Sequence, residues 1–252
     1  IYTLSLHDDL PISIISQLNK EAIHKWKIEA LLETIDKNKS IIVENKFWKD
    51  VVLNTTNLEI NKYSIEGTKI HDGLEKFYKT GKITKKYSKI INAVNENISL
   101  LVSPFEKVQF KAEETIVDAL GYGGKLDLLI KTEKGNFLID FKTKQLESFY
   151  KKTKQGNLVF NKSCVYDDYV MQLAAYANGF EENLEDQIKN IIGCMNLFIS
   201  VTNPGEVYLH TWTIEEIQKG FKRFKSLLEF WKSKNDYDSS FILSDKNLPW
   251  ET

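Results

Sequence analysis

Arginine is nearly absent from this chain of 252 residues: among 34 basic side chains only Arg223 carries a guanidinium. Bidentate guanidinium contacts are the commonest means of reading guanine, so sequence-specific recognition of DNA through arginine is not expected. An AT-rich genome would produce the same bias, together with the abundance of Lys, Asn and Ile. Cysteine is also scarce. Cys164 and Cys194 are too few for a four-thiolate iron–sulfur cluster and read as buried or inert thiols in a reducing compartment. No Gly-x-x-x-x-Gly-Lys-Ser/Thr occurs, which excludes a recognisable ATP motor. Any strand separation would then fall to a partner such as a helicase or a recombination or replication protein. The net charge of −1 does not advertise a nucleic-acid binder. The chain starts at Ile1, and residues 1–12 resemble translated sequencing-adaptor read-through and are expected to be foreign to the fold. Asp8 and Asp9 break any apolar run there, so the stretch fails as a signal peptide or a membrane span, and no membrane partner is expected. No Arg-rich transit segment supports a mitochondrial address.

What is present is enough for one sizeable core. With 42% hydrophobic residues, 13–235 reads as a single domain and 236–252 as a polar tail. Leu18 to Ile35 has amphipathic spacing. Asn38 to Asn61 is polar with scattered aromatics and is expected to be helical, part of an arch over the site. Leu126 to Lys131 and Asn136 to Phe141 read as strands joined by Thr132-Glu133-Lys134-Gly135, a hairpin loop containing the favoured glycine. Ile191 to Ser200 and Glu206 to Trp212 read as further strands around an Asn203-Pro204-Gly205 turn. Thr213-x-x-Glu216 reads as a capping box opening a helix through Ile217, Phe221, Phe224, Leu228 and Trp231.

The hairpin carries the chemistry. Antiparallel pairing brings Asp127 near Asp140, and two carboxylates held close repel unless protonated or bridged by a cation. Hard oxygen ligands suit Mg²⁺ or Mn²⁺. Lys142 lies two residues past Asp140, so strand alternation points both side chains to one face. Water activated by a cation beside an ammonium group suits phosphodiester hydrolysis. Taken alone, Asp-x-Lys is usually a solvated strand end, and three further segments give it weight.

Val108, Phe110, Ala112, Glu114 and Ile116 fall on one alternating face that Glu114 interrupts, so either this face opens at a metal site or the strand ends before Glu114. Glu113 is the alternative if the register slips by one. Ile70, Leu74 and Phe77 have helical core spacing, and on the same helix His71 and Glu75 lie one turn apart. His71 is either a structural residue or a ligand. Val170, Leu173, Ala174 and Ala177 form a helix face on which Gln172 and Tyr176 adjoin. Either they edge an amphipathic helix, or Gln172 orients Lys142 or water while Tyr176 meets phosphate or a base.

In order, His71, Glu114, Asp127, Asp140-Phe141-Lys142 and Gln172-x-x-x-Tyr176 resemble the RecB-like branch of the PD-(D/E)XK nuclease superfamily. The resemblance spans residues 13 to 235 and looks closest to the mitochondrial genome maintenance exonuclease and its bacterial and phage relatives. A Leu-rich helix with Trp26, the Gly67-x-x-x-His71 segment and the run from Gly121 to Asp127 support it. It implies an α/β fold with a restriction-endonuclease-like core, a central mixed β-sheet flanked by helices. It also implies cleavage of DNA with Mg²⁺ or Mn²⁺, with a preference for single strands or duplex ends. By the resemblance, Asp127, Asp140 and Glu114 hold metal with the Phe141 backbone carbonyl, His71 completes or flanks the site, and Lys142 positions or activates the attacking water. The setting it suggests is the cytoplasm of a bacterial or phage-infected cell. In related enzymes the segment between the lysine and the glutamine can be shorter than Gln145 to Tyr169 here, which leaves the substrate channel open.

Lysines crowd the segment right after the hairpin. Lys142, Lys144, Lys151, Lys152, Lys154 and Lys162 interleave with Phe149, Tyr150 and Phe160, which suits single-stranded DNA: cations follow phosphates while aromatics stack on bases. The bland alternative is a solvated lysine-rich loop. An endonuclease of structure-specific or restriction type, and a noncatalytic DNA-binding module, remain alternatives to an exonuclease.

Overall fold

The computed structural model describes residues 14–15, 21–37, 48–145, 149–160, 165–181 and 190–237. In chain order its elements are helices α1 (Glu21–Lys37), α2 (Trp48–Thr80) and α3 (Ser88–Val102), then strands β1 (Val108–Asp118), β2 (Tyr122–Thr132) and β3 (Gly135–Lys144). A small ribbon, β4 (Tyr150–Lys152) and β5 (Leu158–Phe160), precedes α4 (Asp167–Glu181), and β6 (Ile191–Ser200), β7 (Val207–Trp212) and α5 (Ile214–Lys234) complete the fold.

The large sheet has the order β1, β2, β3, β6, β7. β1, β2 and β3 form an antiparallel meander, β3 pairs with β6 in parallel, and β6 pairs antiparallel with β7. Only a long crossover can return the chain to a parallel partner, and here it carries the β4–β5 ribbon and α4. The expected α/β architecture, a central mixed sheet flanked by helices, is the one observed.

Covered on both faces, the inner strands read as nearly continuous apolar runs, as buried strands do. Leu126, Leu129 and Leu138 pack with Leu173 and Ala174 of α4 and with Phe221, Phe224 and Leu228 of α5. On the other face Leu128, Ile130, Ile139 and Leu197 meet Ile70 and Leu74 of α2 and Ile91, Val94 and Ile98 of α3. At roughly 25 cal/mol per Å² of apolar surface, these two layers dominate the stability of the fold.

The tight β2–β3 connection matches its sequence: Thr132 pairs with Gly135, whose φ of 139° favours glycine. The capping box at Thr213 and Glu216 is formed in both directions and opens α5. The amphipathic segment expected from Leu18 and the polar one expected from Asn38 begin outside the described residues. From Trp48 the second runs without interruption into the His71 segment as a single helix of 33 residues. No proline interrupts that span, so nothing ends the helix near Asn61. Among the described residues no helix is long and apolar enough to cross a membrane.

Candidate active site

The ladder between β2 and β3 runs from Thr132 opposite Gly135 to Leu128 opposite Ile139 and stops there. Asp127 and Asp140 are the next residues on the two strands, so both stand where the strands part. The Asp127 carboxylate enters the gap: its Oδ2 accepts the Phe141 backbone N–H at 2.6 Å, while its Oδ1 lies 3.0 Å from Nδ1 of His71. In an extended strand the N–H and C=O of one residue point to the same side, so the Phe141 carbonyl also faces this gap. His71 reaches it from α2. One turn earlier, a Cβ on Gly67 would sit 2.7 Å from Oγ1 of Thr143, so the glycine lets the helix approach the end of β3 closely.

From the opposite face come Asp140, Lys142 and α4. The Lys142 ammonium is 2.7 Å from Oδ2 of Asp140 and donates to Oε1 of Gln172 at 2.8 Å. Gln172 in turn donates to the Tyr176 hydroxyl at 3.1 Å. Sequence spacing had suggested both adjacencies, Asp140 with Lys142 on a strand and Gln172 with Tyr176 on a helix. One role changes. Tyr176 is fully buried, so its hydroxyl acts on the site through Gln172 and does not meet a phosphate or a base.

Electrostatics mark the cluster. Burial lifts the Asp140 carboxyl to about 6 from 3.8; the Lys142 ammonium pulls it down and the Asp127 charge pushes it up again. Burial works to lower His71, but its hydrogen bond and charge interaction with Asp127 outweigh this and raise it. Glu113 is raised by burial first, then by Asp127 and Glu75.

That last shift bears on the third carboxylate. The face expected to carry Glu114 does not continue through β1, because Glu113 has a φ of 55° and turns the alternation over. Val108 and Phe110 therefore pack toward α2 and α3, whereas Ile116 packs toward α4. Ala112 pairs with Leu128 and Glu114 with Leu126, so Glu113 falls across from Asp127. Glu114 points elsewhere and its Oε1 takes the Lys111 ammonium at 3.0 Å. Glu113, not Glu114, is the glutamate that shares the site. Glu75 contributes its charge from α2 while paired with Lys79 at 2.7 Å.

The candidate DNA-binding residues divide. Tyr150, Lys151, Lys152 and Lys154 are exposed on the β4–β5 ribbon. Lys144 is partly buried, its Nζ donating to the Tyr169 hydroxyl and lying 4.4 Å from the centre of the Tyr166 ring. Phe149 is not available to stack on a base: it is fully buried against Phe198, and its N–H donates to Oε1 of Glu206 at 2.7 Å. Lys162 and Cys164 lie outside the described residues. Cys194 is buried, which pushes its thiol up to about 12 and keeps it protonated.

Sequence reasoning missed Asn196 and Trp212. Asn196 is fully buried and donates from Nδ2 to Oδ2 of Asp140 at 2.8 Å, and its Oδ1 accepts the Trp212 indole N–H at 2.7 Å. The signal was a lone amide in the otherwise apolar middle of β6, since a buried polar group must find a partner. Tyr169 was also missed; its ring lies 5.3 Å from the Lys142 ammonium.

Among the described residues no group of three or more His, Cys, Asp or Glu side chains is placed to hold a metal ion. The two carboxylates whose charges interact, Asp127 and Asp140, are oxygen donors of the kind a hard cation such as Mg²⁺ takes.

No protein-family model matches the chain, and no curated protein sequence matches it significantly. Among solved structures, the chain is similar to a candidate exonuclease from Eubacterium rectale, at 12% identity and a TM-score of 0.41. That similarity covers 66% of each chain. It is also similar to a protein known as SSO0001, at 15% identity and a TM-score of 0.25, over 54% of this chain and 57% of the other.

Proposed function

We propose that this protein is a Mg²⁺- or Mn²⁺-dependent deoxyribonuclease without sequence specificity, an exonuclease acting on single-stranded DNA or duplex ends. The observation that carries this is the meeting of Asp127, Asp140 and Lys142 where β2 and β3 part, with Gln172 on the lysine. Asp127, Asp140 and the Phe141 carbonyl would hold the cation, with Glu113 as the neighbouring third carboxylate. When bound, the cation supplies Lewis-acid polarisation of the phosphodiester and makes water more acidic.

The chain's own groups do the rest. Gln172 accepts a hydrogen bond from the Lys142 ammonium, and Asp140 anchors the same group. These contacts hold the ammonium beside the opening of the strands, where its charge would orient water and meet charge developing on phosphate. His71 holds Asp127 in place across the strand opening. The exposed lysines and Tyr150 of the ribbon follow a polyanion by charge and stacking, neither of which reads sequence. Strand separation would come from a partner such as a helicase or a recombination or replication protein, and the setting fits the cytoplasm of a bacterial or phage-infected cell.

Two variants test the assignment. Asp140→Ala should abolish Mg²⁺-dependent cleavage of linear single strands while circular dichroism stays that of the wild type. Wild-type activity in that variant would remove Asp140 from the site. Lys142→Ala should lower turnover by about 10²- to 10⁴-fold, the range of positioned proton-handling groups, with little change in DNA affinity. A loss confined to affinity would make Lys142 a binding residue only.

A further inference from the structure

We propose that Trp212 and Asn196 are positioning residues for Asp140, acting as a fixed relay that decides which carboxylate oxygen is left for a cation. The inference rests on Asp140 being a metal-holding carboxylate, as under the proposed function.

An amide side chain has two ends of similar shape, one accepting and one donating. An indole N–H can only donate. Because Trp212 Nε1 lies 2.7 Å from Asn196, the amide must turn its oxygen to Trp212, which leaves the NH₂ for Asp140. That NH₂ lies 2.8 Å from Oδ2 of Asp140 and 3.5 Å from the backbone carbonyl of the same residue. Lys142 also reaches Oδ2, at 2.7 Å. Two donors therefore converge on one oxygen, Oδ2.

Trp212 is itself held. His210 meets its ring edge-on at 4.5 Å, and Phe160 of the β4–β5 ribbon stacks on Tyr208 at 3.7 Å on the same strand, β7. A run of aromatic contacts thus joins the lysine-rich ribbon to the indole. Asn196 is fully buried in β6, directly beside Asp140 in the parallel register. It has no other orientation that satisfies both neighbours.

The relay predicts a change in cation affinity that exceeds any change in fold. Trp212→Phe keeps a ring in place and deletes the donor, so the amide is free to rotate. Partners that orient ligands typically change metal affinity by about 10- to 100-fold when removed. The test uses the full chain and two readouts: the Mn²⁺ concentration that half-saturates thermal stabilisation, and the Mg²⁺ midpoint for digestion of linear single-stranded DNA. In Trp212→Phe both midpoints should rise by about tenfold, with turnover largely recovered at saturating Mg²⁺. Asn196→Ala should raise them further; if that variant does not fold, Trp212→Phe decides alone. A folded Trp212→Phe with wild-type midpoints and only a lower melting temperature would make the pair structural and overturn the relay, leaving the nuclease reading intact. Absence of any metal response or digestion in the wild type would overturn the nuclease reading, and the relay with it.

Discussion

Asp140 lies at the centre of the candidate site, and its burial as a carboxylate weakens the fold. Its carboxyl titrates at about 6 in the folded chain against an ordinary 3.8, because burial and Asp127 together outweigh Lys142. A raised folded value means the fold holds the proton more tightly than the unfolded chain does. The favourable contribution is complete below about pH 4 and falls as pH rises through about 4 to 6. Above that it stays lost, on the order of 1–3 kcal/mol. Asp140→Asn, neutral at every pH, should therefore melt higher than the wild type in EDTA at about pH 8, and the difference should close toward about pH 4. The same variant should lose the stabilisation that Mg²⁺ or Mn²⁺ gives the wild type. Melting curves with and without metal across this range measure both effects. Glu113 and Glu114 offer a second contrast at this scale. Glu113→Gln removes a carboxylate that interacts with Asp127 and should weaken Mg²⁺-dependent digestion by about 10-fold or more. Glu114→Gln only breaks a half-exposed pair with Lys111 and should leave digestion within about threefold. Equal effects of the two in a digestion assay would remove Glu113 from the site.

At the scale of elements, the β2–β3 hairpin, the strand Ile191–Ser200 and the capped helix α5 were all legible. Each rests on local chemistry: a glycine turn, an apolar run of strand length, a Thr and a Glu three residues apart. The Asp140–Lys142 and Gln172–Tyr176 adjacencies were legible for the same reason, because strand and helix periods place the partners. What local pattern could not show was the backbone reversal at Glu113, which swaps the faces of β1 in mid-strand, since alternation assumes an unbroken pleat. Phe149 was misplaced because an aromatic between lysines looks the same in sequence whether it lies over the β6 core or in solvent. Asn196 and Trp212 belong to strands distant from the motif: Asn196 meets it through the parallel register of β3 with β6, and Trp212 reaches Asn196 from the antiparallel neighbour β7. The ribbon β4–β5 carries a prediction of its own. Single-strand binding has a salt slope of about 0.7 per phosphate contact, so replacing Lys151, Lys152 and Lys154 together with Ala should flatten the slope by about 2 if all three follow phosphates. Fluorescence anisotropy on a labelled oligonucleotide over a salt series measures it; an unchanged slope would make the ribbon a solvated surface.

Over the whole molecule, the sheet divides two apolar layers, and the candidate site lies where the meander opens, with α2 supplying His71 from one face and α4 supplying Gln172 from the other. Such a site draws side chains from both faces of the sheet, which suits chemistry that depends on positioned charge. The scarcity of arginine and the lysine-bearing ribbon fit a substrate engaged through its backbone. The most direct test is digestion of end-labelled linear single strands beside covalently closed single-stranded circles, each with Mg²⁺, Mn²⁺ or EDTA. Loss of the linear strand alone, dependent on metal and abolished by EDTA, is the predicted result, and labelling each end in turn would give the polarity. Nicking of the circles would replace the exonuclease with an endonuclease, and survival of both substrates in every metal would contradict catalysis and leave a DNA-binding module.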